Sequence, residues 1–196
     1  MADEKTESKK INEKMAYMER MKKGYGDIID KLEISDMQKH FLRSRWLDQV
    51  FWMEGRANST QWYYYRLRLT TIIGGVIVPV LVSLNFKAGG FAVFIKVITV
   101  IIGLLVAMSA AVEEFFNFGE RWRHYRRTVE TLKTEGWRFF QLSNNYEKYY
   151  NHANAYPTFA DRTESIIQQD VEVFITEIVK EKKEKEEKPG DNQQKD

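Results

Sequence analysis

Two long apolar runs in the middle of an otherwise polar chain constrain its fold more than any motif. Residues 69–86 and 91–112 carry almost no charge and consist mainly of Ile, Val, Leu, Phe, Ala and Gly. As helices of about 18 and about 22 residues, both are long enough to cross roughly 30 Å of hydrocarbon. A helix satisfies its own backbone polar groups in lipid, whereas an open strand does not. The sequence therefore predicts a transmembrane helical hairpin.

The predicted membrane part is a minority of the chain, because the mean hydropathy over 196 residues is -0.50 and 30% of the residues are charged. Neither run is predicted to be a cleaved signal peptide, since the first begins far from the N-terminus and lacks a small-residue cleavage site. The absence of cysteine excludes a disulfide framework and a thiolate metal site. A net charge of +2 gives no whole-protein signal for nucleic acid, so no nucleic-acid partner is predicted.

Positive charge lies on one side of the predicted hairpin. Arg66 and Arg68 precede the first run and an arginine-rich segment at 121–127 follows the second, whereas the turn at 85–90 carries only Lys87. Because cytoplasmic loops carry the excess of Lys and Arg, both termini of this multi-pass protein are predicted to be cytoplasmic, in the plasma (inner) membrane. Aromatic side chains that prefer the headgroup layer flank the runs, namely Trp62, Tyr63, Tyr64 and Tyr65 before the first and Phe115, Phe116, Phe118 and Trp122 after the second.

The complete pattern predicts an all-α membrane protein, in which the transmembrane hairpin extends into a cytoplasmic helical bundle and the chain forms an oligomer. Ser35 followed by Gln38 is a plausible capping box for a helix that could run into the first span. Gly55, Asn58 and Ser59 weaken that join, so a break there is also open. The predicted segments are a polar N-terminal segment (1–33), a pre-transmembrane helix (34–66), two spans (67–86 and 91–114), a stalk helix (115–143), an amphipathic helix (158–183) and a disordered tail (184–196).

The apolar stripe of the second span continues beyond the bilayer, which predicts one helix of about 50 residues with a cytoplasmic stalk that packs on other helices. Gly136 is its weak position. A Tyr-rich connector then ends at Pro157, and Thr158 and Asp161 are predicted to cap the last helix. The stalk stripe is Ala111, Phe115, Phe118, Trp122, Tyr125, Val129, Leu132 and Phe139, and the last helix carries Ile167, Val171, Phe174 and Ile178.

Several stretches of this sequence resemble the SLATT superfamily, namely RSRWLDQV at 43–50, YRLR at 65–68, ERWRHYRRTVETL at 120–132 and ADRTE at 160–164. The resemblance covers roughly residues 34–179. That superfamily contains bacterial two-transmembrane proteins of mostly uncharacterised function, which associate with nucleotide-signalling conflict systems and are proposed to be pore-forming effectors. The resemblance implies a hairpin fold and a pore-forming hypothesis. Because the sequence shows no fused nucleotide-binding or protease domain, a trigger is expected from a partner or from the cytoplasmic helices.

Lys96 lies inside the second run, roughly 8 Å of helix rise below the outer interface. Burying a cation in the membrane costs a few kcal/mol, so such a residue is a functional candidate. Two interpretations stay open. The side chain either extends to the outer headgroups, or it faces a water-filled pore.

One face of the second span is small and partly polar. Thr99, Gly103, Ala107, Ala110 and Glu114 follow one another at spacings of four and three, and Lys96 lies on the same stripe. This face could line a conduit in which Glu113 or Glu114 forms an acidic ring at the inner mouth. Alternatively, its small residues allow close packing of helices.

The first span carries a second small face, formed by Thr71, Gly75, Pro79 and Ser83. Pro79 is expected to kink the helix, either as a gating hinge or simply where small residues meet a neighbour. In the turn, Asn85 is expected to be a capping or turn residue. The arginines that follow the second span either bind anionic lipid or another negatively charged ligand, or fix topology and form interhelical pairs, and they are Arg121, Arg123, Arg126 and Arg127.

Nothing in the sequence indicates an enzyme. His40, His124 and His152 lack metal-ligand spacing, and no Gly-rich phosphate loop is present, so neither a metal nor a cofactor is predicted. The leading hypothesis is a homo-oligomeric bacterial channel that conducts ions and is gated through its cytoplasmic helices, with the bilayer and further copies of itself as partners. The alternatives are a non-conducting scaffold that recruits a cytoplasmic partner, and an effector that perturbs lipid without a defined pore.

Overall fold

The computed structural model describes the backbone of residues 2–84 and 90–186 and the side chains of residues 13, 15–84 and 90–172. Within these residues the chain is helical and contains no strand, as predicted. The predicted turn with Asn85 and Lys87, the end of the first span at Phe86, and the tail after residue 186 lie outside the described residues. The helices are α1 (Ala2–Lys31), α2 (Asp36–Phe41), a π-helical turn (Leu42–Leu47), α3 (Asp48–Ser83), α4 (Gly90–Phe116), α5 (Phe118–Phe140), a 3-10 turn (Asn144–Tyr146) and α6 (His152–Glu186).

The predicted capping box at the start of α2 is confirmed. The Ser35 hydroxyl accepts a hydrogen bond from the Gln38 backbone N–H at 3.3 Å, and the Gln38 side chain accepts one from the Ser35 N–H at 2.9 Å. From there the chain stays helical through the π-helical turn to Ser83, a run of 48 residues. At residues 55–59, where the sequence left a break in the helix open, the Ser59 hydroxyl donates a hydrogen bond to the Gly55 carbonyl at 3.0 Å. The pre-transmembrane helix is therefore continuous with the first span.

The second span and the stalk form two helices where the stripe predicted one. Asn117 separates α4 from α5 and has a φ of 48°, in the left-handed region that asparagine tolerates better than most residues. Next to it, a Cβ at Gly119 would lie 2.8 Å from Cε2 of Tyr64. The close approach of an aromatic ring thus coincides with the break between α4 and α5.

The last helix starts at His152, six residues before the predicted cap at Thr158. Its N-terminus is satisfied by Asn151, whose side-chain oxygen accepts a hydrogen bond from the Asn154 N–H at 2.9 Å. Pro157 lies inside α6. The side chains of Phe174 and Ile178, predicted on the apolar face of this helix, lie outside the described residues.

The chain divides into two compact units. We call residues 2–51 and 128–186 the polar unit, and residues 52–127 the apolar unit. In the polar unit Trp46 is fully buried, and its indole N–H donates to the Leu132 carbonyl at 3.0 Å. Tyr25 and Phe140 meet the indole edge-on, with ring centroids 5.6 and 5.5 Å away. The other buried side chains of this unit include Ile29, Leu42, Val50, Val129, Leu132, Phe139, Tyr146 and Phe159.

Gly136 allows α5 to approach this indole. A Cβ added at Gly136 would lie 2.1 Å from Cζ2 of Trp46 and 2.8 Å from two further indole atoms. The residue that weakens the stalk helix in the sequence is therefore required by the packing of the polar unit. Three residues of the predicted stalk stripe, Val129, Leu132 and Phe139, are fully buried in the same unit.

Gly136→Ala is expected to destabilise the protein, because its methyl group would overlap the buried Trp46 ring. Overpacking costs about 1–3 kcal/mol, whereas alanine gains at most roughly 1 kcal/mol over glycine in a helix. Thermal unfolding of the full chain in mild detergent, followed by circular dichroism, measures the difference. The matched control is Gly24→Ala in α1, where no atom lies within 4 Å of the new Cβ. Equal unfolding temperatures for the two variants would contradict this account of the core.

Candidate functional site

Two helices of the structure are long and apolar enough to cross a membrane. They are the 48-residue run Asp36–Ser83 and α4, and in each the most apolar 18-residue window is only 6% buried. The core helix of a water-soluble protein would be mostly covered by the rest of the chain. Here large apolar side chains such as Val76, Val100 and Leu104 are more than half exposed. The uncovered surface supports a membrane protein, because so large an apolar area is rare on a protein in water.

The two candidate spans have complementary seams. On α4 the less exposed positions recur at steps of three and four, and the same alternation runs along α3. Such an alternation is typical of helix pairs packed at a small crossing angle. The seam residues are Leu67, Thr71, Gly74, Val78 and Leu81 on α3, and Ala92, Ile95, Thr99, Ile102, Val106, Ser109 and Glu113 on α4.

Gly74 is the close contact in this seam. A Cβ at this position would lie 2.1 Å from Cγ2 of Val106, so only glycine allows the two backbones to come this near. The predicted small face of α3 is different: Gly75 has open space around it, and Pro79 and Ser83 are exposed. The small face thus lies away from α4, apart from the half-buried Thr71. Pro79 is inside α3, which continues to Ser83.

The small stripe of α4 flanks the seam. Lys96, Ala107, Ala110 and Glu114 are exposed, and a Cβ added at Gly103 would contact nothing within 4 Å. Two further candidates, Thr99 and Glu113, are half-buried within the seam, and the Thr99 hydroxyl donates to the Ile95 carbonyl at 2.7 Å. Apart from Thr99, the stripe is therefore not used for packing α4 against α3.

One end of the stripe opens into a small polar pocket of about 210 Å³. It brings together three of the predicted residues, Ala110, Glu113 and Glu114, with Arg68 and Thr71 of α3. The pocket thus combines a guanidinium group with two carboxylates. Among the described residues, no group of three or more His, Cys, Asp or Glu side chains could hold a metal ion.

The arginines after the second span have different surroundings. Arg126 is paired with Glu54 of α3 at 2.7 Å, and the Glu54 side chain is only 14% exposed. Arg126 therefore forms the kind of interhelical pair that was the alternative to ligand binding. Arg123 and Arg127 are exposed and Arg121 is half-buried.

The sequence analysis missed a buried carboxylate in the polar unit, Glu135, whose side chain is 2% exposed. It accepts hydrogen bonds from the Tyr146 hydroxyl and from Arg162, which contacts both carboxylate oxygens, while Arg138 lies 3.8 Å away. A charged residue next to Gly136 inside an apolar stripe is the signal that could have found it. These contacts join α5, the 3-10 turn and α6.

The electrostatics of Glu135 favour the ionised form. Burial raises the pKa of its carboxyl group, but the hydrogen bonds from Arg162 and Tyr146 and the charges of Arg162 and Arg138 outweigh it, so the pKa is lowered. Burial and the adjacent carboxylate raise the pKa of Tyr146, which stays a neutral donor. At neutral pH Glu135 is therefore ionised and Tyr146 is neutral, so the hydrogen bonds from Tyr146 and Arg162 to the carboxylate all form.

A second ion pair in the polar unit joins residues that carry the family resemblance. The guanidinium of Arg45 donates to both oxygens of Glu164, each at 2.7 Å. These hydrogen bonds lower the pKa of Glu164. Trp46, Arg45, Arg162 and Glu164 thus all make contacts between helices of the polar unit.

A family model matches the central part of the chain. The model of a family described as "Protein of unknown function (DUF4231)" matches residues 48–154, more than half of the chain. The matched segment contains α3, α4 and α5, and hence every candidate residue of the spans and of the arginine-rich segment. No curated protein and no solved structure matches the chain.

Arg162→Met is expected to destabilise the polar unit, because it leaves the buried Glu135 carboxylate without its principal partner. Breaking a buried pair costs roughly 3–5 kcal/mol, and we expect about 2 kcal/mol because Arg162 is partly exposed and Arg138 is near. Thermal unfolding of the full chain at pH 7 measures the loss. Arg43→Met is the control, since Arg43 and Asp30 form an exposed pair worth about 0–1 kcal/mol.

The pH dependence of unfolding tests the same network. Because folding lowers the pKa of Glu135 below its ordinary value of 4.5, this group contributes full stability above pH 4.5 and loses it as the pH falls through the folded-state pKa. The Glu135→Gln variant should therefore be less stable at pH 7, and the difference from the wild type should shrink below pH 4.5. A difference that is constant across this range would contradict an ionised Glu135.

Proposed function

This chain belongs to the DUF4231 family of proteins of unknown function, and we propose that it is a homo-oligomeric membrane protein that conducts ions. In this proposal the hairpins of several copies surround a central path, and the polar unit and both termini lie in the cytoplasm of a bacterium. Two helices do not enclose a pore, so an oligomer is a requirement. The partners are the bilayer, further copies of the chain and the permeant ions, without nucleic acid, cofactor or enzymatic chemistry.

One observation carries the proposal: most of the small stripe of α4 is left uncovered by its own hairpin. Lys96, Ala107, Ala110 and Glu114 are exposed beside the seam, although they belong to one of the two most apolar helices. Polar groups exposed to hydrocarbon are costly, so water or another copy of the chain along this face would lower the cost of placing Lys96 in a membrane. The remaining apolar surface of α3 and α4 then faces lipid.

The charges along the stripe suggest where ions would be selected. Glu113 and Glu114 lie with Arg68 around the polar pocket at one end, and Lys96 is about 27 Å of helix rise from Glu114 at the other. Carboxylate rings favour cations, whereas a lysine ring favours anions. We propose that the Glu end forms the inner mouth. Pro79 is the proposed hinge, and α3, which begins in the polar unit, would transmit a stimulus to it.

The resemblance to the SLATT superfamily supports a pore. The YRLR stretch at 65–68 and the ERWRHYRRTVETL stretch at 120–132 lie within the segment that the family model matches. We propose on this basis that the chain is a SLATT-like effector. Its trigger would be a partner that acts on the polar unit.

The alternative is a scaffold that does not conduct and recruits a cytoplasmic partner. A groove of about 550 Å³ in the polar unit favours it, because both signs of charge line the groove and a protein or small molecule would find several hydrogen-bonding groups there. Its lining includes Glu19, Lys22, Lys23, Asp27, His40 and Arg43.

Ion flux from liposomes that contain the purified full chain tests conduction. Glu114→Gln is expected to reduce cation flux at low ionic strength by up to roughly tenfold, because a carboxylate at a pore mouth concentrates cations. The matched control is Glu120→Gln, which neutralises an exposed glutamate in the first turn of α5. Potassium flux with a fluorescent indicator gives the measurement.

Two results would overturn the channel. Absence of conductance at every voltage and pH tested would leave the scaffold as the better proposal, and a monomer at all concentrations in mild detergent would exclude any pore. Flux that Glu114→Gln and Lys96→Ala leave unchanged would remove the stripe from the ion path.

The cysteine-free sequence allows a direct test of the lining. Ala107→Cys lies on the stripe, whereas Met108→Cys lies at almost the same depth but about 100° away around the helix. A water-soluble thiol reagent is expected to modify Ala107→Cys much faster and to reduce flux, while Met108→Cys stays unreactive in lipid. Equal modification rates, measured by mass spectrometry, would contradict a water-filled path along this face.

A further inference from the structure

An apolar groove runs along the side of the hairpin away from the small stripe. We call it the interhelical groove; its volume is about 430 Å³. Arg66 lies at one end and Ile77 is the lining residue farthest along α3. Its walls are Leu69, Thr70, Ile73, Gly74 and Ile77 of α3 together with Ile102, Leu105 and Val106 of α4.

The walls of the interhelical groove carry almost no free hydrogen-bonding group for water. Six of the nine lining residues have aliphatic side chains of Leu, Ile or Val, and the Gly74 contact with Val106 forms its floor. The one hydroxyl group, that of Thr70, already donates to the Arg66 carbonyl at 2.9 Å. The groove therefore fits a hydrocarbon chain rather than a polar ligand.

Arg66 gives the groove one charged end. Its guanidinium lies over the Trp62 ring, 4.7 Å from the centroid, and the side chain is exposed. No carboxylate of the described residues pairs with it. A planar guanidinium binds phosphate through two parallel hydrogen bonds and stacks on an aromatic face at the same time. Tryptophan itself prefers the headgroup layer of a membrane.

The length of the groove matches one leaflet. From Arg66 to Ile77 the helix rises about 16 Å, and half of the hydrocarbon thickness of a bilayer is about 15 Å. We propose that the interhelical groove binds an anionic phospholipid, with an acyl chain along α3 between Leu69 and Ile77 and the phosphate on Arg66. This inference rests on the membrane placement proposed above and is independent of conduction.

The lipid does not compete with the proposed ion path. Leu105 of the groove and Ala107 of the stripe are two residues apart, which separates them by about 200° around α4. The seam between α3 and α4 lies between the two faces. One side of each hairpin would therefore hold lipid while the other side meets neighbouring copies or water.

Native mass spectrometry tests this site in the full chain. The protein is reconstituted in vesicles of equal phosphatidylcholine and phosphatidylglycerol and then released in mild detergent. We expect phosphatidylglycerol to be retained preferentially, and Arg66→Gln to lower that preference by about tenfold, since a charge-assisted hydrogen bond is lost. Arg56→Gln is the matched control, because Arg56 is also an exposed arginine over a tryptophan ring, 5.4 Å from the centroid of Trp52, but lies outside the groove.

A second pair of variants tests the acyl chain. Leu105→Trp fills the interhelical groove and is expected to lower retention of both phospholipids, whereas Leu104→Trp places the same ring on an exposed position outside it. Circular dichroism confirms that both variants fold. The proposed site would be overturned if Leu105→Trp left phospholipid retention unchanged, or if Leu105→Trp and Leu104→Trp lowered it equally.

The remaining outcomes distinguish the possible failures. Equal loss of phosphatidylglycerol in Arg66→Gln and Arg56→Gln would overturn the assignment of the phosphate. Oxidative cross-linking of Leu105→Cys between copies, without retained lipid, would show that a second copy occupies the groove. If the chain sediments with vesicles but retains no phosphatidylglycerol, only the lipid site fails. A chain that stays in the supernatant without detergent would overturn the membrane placement as well.

Discussion

A backbone in hydrocarbon has no water with which to exchange its hydrogen bonds, and the apolar part of the chain meets this constraint because it is helical throughout its described length. The side chains of α3 and α4 cover very little of one another, so their stability depends on the surroundings rather than on a core. In water the exposed Val76, Val100 and Leu104 would favour aggregation. The polar unit is organised differently, because it has its own buried centre at Trp46.

The sequence predicted those features that depend on neighbours along the chain. Ser35 and Gln38 lie three residues apart, so their capping box follows from spacing, and the two spans follow from length and composition. Other features depend on residues distant in the sequence. Gly136 is needed because Trp46, 90 residues earlier, packs against it, and the break at Asn117 coincides with the close approach of Tyr64 to Gly119.

The candidate site also combines features that depend on neighbours along the chain with features that depend on residues distant in the sequence. The stripe of Lys96, Ala107 and Glu114 could be predicted because helical spacing places these residues on one face. Which face of α3 meets α4 could not be predicted, because Gly74 and Gly75 are equally small, and only the contact with Val106 distinguishes them. Glu135 was missed because the sequence gives no sign that Arg162 and Tyr146 approach it. Ionic partners of a buried group come from the tertiary fold.

The contact between Gly74 and Val106 has a mechanical consequence. Two helices that touch at a small residue can change their crossing angle about that contact. Lys96 is about 15 Å of helix rise from Val106 in one direction, and Glu114 is about 12 Å away in the other. Because these two charges lie on opposite sides of one pivot, a change in the crossing angle would move the helices apart beside both of them, or together beside both, at the same time.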